Sequence, residues 1–226
     1  MSLLLHIETA TKICSVALSK NNQLITSIEE KSSEKFIHSE RLTILIDRIM
    51  KEAKIDLKEL SAITINKGPG SFTGLRIGVS VAKGLCYSLK KPLIGIDSLS
   101  SLCNGFLNAK RKISENDLLL PMIDARRMEV YTGGFSSLGE IIFPTDAVAI
   151  DDSFFVKLKN YKKIHVFGDG AKKVVTAFTN QKLIYHPEIL CSAEHLIDLA
   201  SQKYLNGKFE NLAYFEPFYL KDFKTH

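Results

Sequence analysis

The chain lacks the features of a secreted or membrane protein. The longest uncharged run in its most apolar stretch, Ser61–Leu102, falls far short of the roughly 20 residues that a bilayer requires. The N-terminal sequence MSLLLHIETA has no basic leader, so no signal peptide is expected. The four cysteines show neither a disulfide pattern nor metal-site spacing. Together these absences predict a cytoplasmic protein with reduced thiols and no contact with a membrane.

Phosphate loops and paired metal ligands are also missing. The turn after the first predicted strand, Thr9-Ala-Thr-Lys-Ile13, contains no glycine, whereas kinases with the same order of strands and helices use glycine there to approach a phosphate. Gly68-Pro-Gly-Ser71 is not a Walker A loop, because no Lys-Ser/Thr pair follows it. None of the six histidines lies four residues from another. ATP hydrolysis by this chain alone is therefore not expected.

Length and charge leave the partner class open. With 226 residues, the chain allows one large domain or two small ones, and 45% hydrophobic residues are enough for a real core. The net charge of +5 permits contact with nucleic acid without requiring it. Four lysines form a basic patch that either contacts RNA phosphates or is a solvated helix end; they are Lys157, Lys159, Lys162 and Lys163.

The most informative stretch is Ser61–Leu102, which reads as strand, Gly-Pro-Gly turn, long helix, strand and helix. The helix predicted over Phe72–Lys90 is apolar nearly all round, so it must be covered on more than one side. Gly74, Gly78 and Ala82 recur every four residues, which opens a face for close packing. That cover is either internal, from a sheet and a neighbouring helix, or partly a protein–protein contact.

The order of predicted elements repeats along the chain. Three strands, a helix over about Ser39–Lys54, a strand, a helix, a strand and a helix lead to a polar link over Asn104–Asp117. A similar series then starts at Leu118. A duplicated βββαβα unit is the architecture of the α/β actin-like ATPase (ribonuclease H-like) fold. We therefore expect an N-terminal subdomain over 1–110 that carries the interface helices, and a smaller C-terminal subdomain over 111–226.

The two units place an acidic residue where each first strand ends, Glu8 and Asp124. In this fold both would face the cleft between the halves; the alternative is that they are ordinary loop carboxylates. Gly168-Asp-Gly170 before a predicted helix is either an anion site or a plain turn. The candidate nucleotide-cleft residues are Glu8, Thr9, Lys12, Asp124, Gly168 and Gly170.

Several motifs resemble the TsaB (YeaZ) family. These are Lys67-Gly-Pro-Gly-Ser-Phe-Thr-Gly-Leu-Arg-Ile-Gly-Val79, Ile7-Glu-Thr9, His38-Ser-Glu40, Ile123-Asp-Ala-Arg-Arg127 with Glu129-Val-Tyr131, Gly168-Asp-Gly-Ala171 and Pro217-Phe-Tyr-Leu-Lys221. The match runs nearly end to end and is weak between Asp146 and Lys163. The family's first strand usually ends in aspartate, where this chain has Glu8, and its terminal motif usually has arginine at the position of Lys221.

The resemblance implies a non-catalytic subunit that dimerises with TsaD, the catalytic paralogue, in threonylcarbamoyladenosine modification of tRNA. TsaD carries two metal-binding histidines where this chain has Ser98 and Leu102, so no metal site is expected here. The implied partners are TsaE, reached through the complex with TsaD, tRNA indirectly, and a second copy when the chain is alone. ATP is used by the complex, and no cofactor is assigned to this chain.

By the same resemblance, the two N-terminal helices pack against the equivalent pair of TsaD or of a second copy. The predicted interface residues are Ile44, Leu45, Arg48, Phe72, Leu75, Arg76, Gly78, Val79 and Ala82. Gly78→Leu is accordingly expected to abolish association and leave the monomer folded. The alternative functions are an actin-like small-molecule kinase and a module that holds a nucleotide without turning it over.

Overall fold

Two five-stranded sheets with the same strand arrangement form the fold. The computed structural model describes residues 2–31, 38–109, 113–179 and 181–221, with only the backbone of residue 152. The strands are β1 (Leu3–Glu8), β2 (Ile13–Lys20), β3 (Gln23–Lys31), β4 (Ala62–Gly68), β5 (Leu93–Asp97), β6 (Leu118–Asp124), β7 (Glu129–Phe135), β8 (Ile141–Ala149), β9 (Ile164–Phe167) and β10 (Leu183–His186). The α-helices are α1 (His38–Ala53), α2 (Phe72–Leu89), α3 (Ser98–Asn108), α4 (Asp152–Val156), α5 (Ala171–Ala177) and α6 (Ile197–Leu205).

The first sheet has the order β3-β2-β1-β4-β5, and the second has the order β10-β9-β6-β7-β8. In each sheet the first three strands are antiparallel, and the next two run parallel to the first. Counted from the edge formed by β3 in the first sheet and by β8 in the second, equivalent strands follow in the same order. The duplicated βββαβα unit and the actin-like fold class are therefore confirmed.

Both faces of the first sheet are buried, as its continuous apolar strands require. Leu5, Ile7, Val16 and Leu18 pack with α1 and α2 on one face. Leu4, Ala62, Ile94 and Ile96 pack on the other face with Leu196 and Ala200, at the start of and within α6. The helix α3 lies between the halves, because Leu102 and Phe106 share a core with Leu119 and Phe167.

The predicted elements are confirmed, with shifted boundaries. The helix α1 begins at His38 and α2 ends at Leu89, where Lys90 adopts a left-handed conformation that ends the helix. The helix α3 runs to Asn108, so the first residues of the predicted polar link are helical. The strand β8 runs from Ile141 to Ala149 and pairs with β7 along its length.

The predicted boundary between residues 110 and 111 lies outside the described residues, and the division into 1–110 and 111–226 stays a prediction. The chain after β10 returns to the first sheet. There Phe215 joins the core beneath α1 and α2, and Glu210 forms a β-bridge with Leu93. Within the described part of the chain, no helix is both long enough and apolar enough to cross a membrane.

Candidate partner surface and inter-sheet cleft

The small-residue face of α2 packs against the chain's own first hairpin turn. A side chain at Gly74 would collide with the Thr9 carbonyl oxygen and meet the His38 ring. A side chain at Gly78 would collide with the Thr9 hydroxyl, and Ile65 lies beside it. The glycines therefore open a close contact inside the chain, as expected if the cover of α2 is internal on this face.

Four predicted interface residues are core residues. Leu45, Leu75 and Ala82 are 0% exposed and Val79 is 4% exposed, all within the first half. A helix pattern does not reveal which face meets the sheet, and here these side chains point toward it. They have almost no accessible surface and none of them lines the groove between α1 and α2, so we remove these four residues from the predicted partner surface. The expectation that Gly78→Leu leaves the monomer folded is also corrected, since a leucine there has no room.

The outward side of α1 and α2 is apolar as well. Ile44 on α1 is 48% exposed and Tyr87 on α2 is 80% exposed. Between the two helices lies an open groove of about 590 Å³ whose apolar lining includes Ile46 and Met50 from α1 and Val81 and Leu85 from α2. A helix pair covered only by its own sheet needs no such second apolar surface.

The two arginines of the predicted interface, Arg48 and Arg76, lie beside this apolar surface. Arg48 is exposed and donates to Glu52 one turn later, over 2.7 Å. Arg76 lies over the Phe72 ring at 3.9 Å and donates to the Tyr219 hydroxyl at 3.2 Å. Arg48, Phe72 and Arg76 therefore remain accessible, together with Ile44.

The C-terminal segment forms the second border of α2. The Lys83 ammonium donates to the carbonyl oxygens of Ala213 and Phe215, at 3.3 and 3.0 Å. Tyr219 stacks on Phe72 with ring centroids 4.7 Å apart. The exposed strip of α2 consequently lies between α1 on one side and the terminal segment on the other.

At the end of β1, Glu8 is fully buried and held by a polar chain. Its carboxylate accepts hydrogen bonds from the Ala10 amide at 2.7 Å and from the Asn66 side-chain amide. The Asn66 oxygen in turn accepts from Ser98 and from the Gly68 amide. Burial raises the pKa of Glu8 to about 7, and the nearby charge of Asp169 adds to the rise.

The turn that follows Glu8 is occupied by the chain itself. The Ala10 carbonyl accepts from the Ser71 amide at 2.7 Å, and the Thr11 carbonyl lies 2.7 Å from His38 Nε2. Thr9 is 0% exposed, and Lys12 is exposed. The carbonyls of this turn face α1 and α2, which is the opposite of a loop that offers free amides to a phosphate.

The second half arranges its strand end differently. Asp124 is half exposed, forms an ion pair with Lys173 from α5, and donates its backbone amide to Asp169 at 3.1 Å. Gly168, at φ +98°, packs against the Met122 carbonyl, and Gly170 packs against Ile123. Both glycines are thus explained by close contact with β6. The helix they precede has only seven residues.

The positions that correspond to the histidine ligands of TsaD are core positions here. Ser98 is 0% exposed and donates to Asn66, and Leu102 is 0% exposed in the core between the halves. Across the described residues, no group of three or more His, Cys, Asp and Glu side chains is placed to hold a metal ion.

Sequence reasoning missed Asn66, Lys173 and the contacts of the terminal segment. Asn66 ends a buried strand and Lys173 is one of many lysines, so neither carries a local signal. The Pro217–Lys221 motif was visible in the sequence, but its contact with Phe72 and Arg76 depends on the tertiary fold.

These features define the class. The chain is an actin-like α/β protein with two equivalent sheets, whose first hairpin turn is filled by its own helices and whose longest helix pair presents an apolar groove.

The comparisons with known proteins identify the family. The family model described as TsaD, tRNA N6-adenosine threonylcarbamoyltransferase, matches residues 30–225. The tRNA threonylcarbamoyladenosine biosynthesis protein TsaB of Buchnera aphidicola subsp. Schizaphis graminum is 31% identical over 191 residues, covering 81% of this chain and 88% of that protein. TsaB of Escherichia coli is 29% identical, covering 97% and 94%. YeaZ from Pseudomonas aeruginosa superposes with a TM-score of 0.78 at 26% identity, covering 97% and 100%. The chain belongs to the TsaB (YeaZ) family.

Proposed function

We propose that this chain is a non-catalytic subunit that binds TsaD through the outward side of α1 and α2 during threonylcarbamoyladenosine biosynthesis on tRNA. In this proposal TsaD carries the chemistry, the complex uses ATP, and TsaE joins through the complex. Without TsaD, the same apolar side pairs two copies of the chain. The subunit contacts tRNA only as part of the assembly and works in the cytoplasm.

The observation that carries the proposal is the groove between α1 and α2. Its lining combines apolar Ile46, Met50, Val81 and Leu85 with charged side chains that include Asp47, Lys51 and Glu59. Ile44 is exposed on α1 outside this lining. Stable protein interfaces bury about 800 Å² on each partner around an apolar centre. Two neighbouring helix surfaces of 16 and 18 residues are long enough to supply that area.

Two features of the described residues support the non-catalytic assignment. The turn after β1 directs its carbonyls into α1 and α2, and the two positions that are histidines in TsaD are packed in the core. The kinase alternative requires a turn that receives a phosphate, and the engaged carbonyls of Ala10 and Thr11 argue against that role.

The test is the affinity of the purified chain for TsaD from the same organism, measured by titration calorimetry. We expect Ile44→Asp to weaken binding by about 30-fold or more, because burying the new carboxylate under a partner costs roughly 2 kcal/mol or more. Val156→Asp is the matched control, since Val156 is 63% exposed on α4, the counterpart of α1 in the second half.

Equal affinities of wild type and Ile44→Asp would contradict the proposed surface. A parallel titration with ATP and ADP addresses the nucleotide-holding alternative. Binding of either nucleotide by the chain alone, abolished on mutation of Glu8, would favour that alternative.

A further inference from the structure

The turn between β6 and β7 places two consecutive arginines in a conformation that arginine rarely adopts. Arg126 and Arg127 have φ angles of +68° and +46°. The β2–β3 turn has the same geometry at Asn21 and Asn22, with φ angles of +50° and +67°. Asparagine is an ordinary residue for this conformation, whereas a longer side chain is strained in it. Strain of this kind concentrates at functional sites.

The turn is held from several directions. The Arg126 amide donates to the Asp124 side chain at 3.0 Å, and the Glu129 amide donates to the Arg126 carbonyl at 3.1 Å. The ammonium of Lys173 donates to the carbonyls of Arg127 and Glu129, at 2.7 and 2.6 Å. One half-buried lysine therefore fixes the turn and also neutralises Asp124, so the two guanidinium groups project from a rigid base.

The charges around the turn are positive in sum. Arg126, Arg127 and Lys172 are exposed, and among the described residues none of their side chains has a hydrogen-bond or ion-pair partner. Lys172 and Met128, the residue after Arg127, line an open pocket of about 520 Å³ whose lining also includes Lys173 and two carboxylates. One of these carboxylates belongs to Asp124, which Lys173 neutralises, and the other belongs to Asp169. Three cations against one carboxylate favour an anionic ligand.

We propose that the Arg126–Arg127 turn binds phosphate groups of the tRNA backbone. The guanidinium group presents its donors as a planar fork that matches two phosphate oxygens, and a fixed turn presents two such forks at little entropic cost. This inference rests on the proposed function, which places the chain in an assembly that modifies tRNA. It adds a direct RNA contact that the proposed function does not include.

The position of the turn relative to the partner surface fits this role. Glu129, two residues after the arginines, forms an ion pair with Lys221. Tyr219, two residues before Lys221, stacks on Phe72 and contacts Arg76 at the start of α2. Two residues of extended chain span at most about 7 Å. The terminal segment therefore links the arginine turn to the start of α2, at the border of the proposed partner surface.

The decisive variant carries Arg126→Asn and Arg127→Gly, which removes both guanidinium groups and installs residues that suit the turn. The binding of labelled tRNA is followed by fluorescence anisotropy at several KCl concentrations, for the chain alone and for its complex with TsaD. We expect affinity to fall roughly tenfold at about 0.1 M salt. The slope of log affinity against log salt should weaken by about 0.7–0.9 for each phosphate that the variant no longer neutralises.

The melting temperature separates a binding defect from misfolding. The Asn-Gly variant should melt a few degrees higher than wild type, because strain in the turn is relieved. A fold defect would lower it. Arg126→Lys with Arg127→Lys keeps the charge and removes the planar guanidinium groups. Its affinity for tRNA should lie between those of wild type and the Asn-Gly variant. Lys157→Ala with Lys159→Ala is the charge-matched control at the other basic patch and should bind like wild type.

Unchanged tRNA affinity and slope in the Asn-Gly variant would overturn the inference, as would an equal drop in affinity in the lysine control. If the Asn-Gly variant loses binding of ATP or inorganic phosphate and keeps binding of tRNA, the ligand of the turn is a free nucleotide and the inference is wrong. The TsaD titration with Ile44→Asp fails or succeeds separately, so an error in the proposed function is distinguishable from an error in the arginine site.

Discussion

The two halves share one strand order and differ most in their helices. In the first half, α1 and α2 have 16 and 18 residues, and in the second half the equivalent α4 and α5 have 5 and 7. The shorter pair is sufficient to cover one sheet face. The additional length of the first pair therefore serves something beyond its own core, and it carries the apolar groove between the helices.

The turns after β1 and β6 differ in exposure, and here the second half has the more exposed element. After β1, the turn is buried, and its carbonyls are engaged by Ser71 and His38. After β6, the turn is exposed and displays Arg126 and Arg127. The two halves therefore have equivalent sheets and expose different elements on their surfaces. The first half offers helices, and the second half offers a charged turn.

The largest expected effect is on the pH dependence of stability, and it distinguishes Glu8 from Asp124 at the two strand ends. The pKa of buried Glu8 is raised from 4.5 to about 7, so the native state binds this proton more tightly than the unfolded chain does. Stability should therefore fall as pH rises from about 4.5 to about 7, by roughly 3 kcal/mol from this group, and then level off. Urea unfolding of Glu8→Gln across this range should show that this part of the slope is gone.

Asp124→Asn is the matched control for Glu8. Its ion pair with Lys173 is half exposed, so removing it should cost less than about 1 kcal/mol, and the slope that comes from Glu8 should remain. Buried His6, whose pKa is lowered to about 3 by burial, contributes a slope of opposite sign, which is common to all variants. If Glu8→Gln and wild type had parallel pH curves, the burial of a protonated Glu8 would be ruled out.

A smaller effect compares two glycines within α2. Gly74→Ala should destabilise the protein by about 1–3 kcal/mol, because the new methyl group meets the Thr9 carbonyl. Gly84→Ala should stabilise it by about 0.5–1 kcal/mol, since no atom lies within 4 Å of the added carbon. Denaturant midpoints measure both. Equal destabilisation at the two sites would mean that α2 is not seated on the first hairpin turn in this way.

The sequence predicted the order of strands and helices along the chain, the two long helices and the acidic strand ends, because apolar periodicity and turn residues are local signals. The orientation of α2 was not predictable, since Leu75 and Val79 on one side and Val81 and Leu85 on the other are equally apolar. In the structure, Leu75 and Val79 pack in the core, and Val81 and Leu85 line the groove. Nor does the sequence reveal that Arg126 and Arg127 are left-handed, because arginine is seldom found in that conformation.

The measurement that tests the central claim most directly is amide hydrogen exchange of the chain with and without TsaD. The account predicts slower exchange along α1 and α2 in the complex, over residues 38–53 and 72–89, with α4 and α5 unchanged. Protection confined to α4 and α5, or no change in α1 and α2 under conditions where the complex forms, would contradict it.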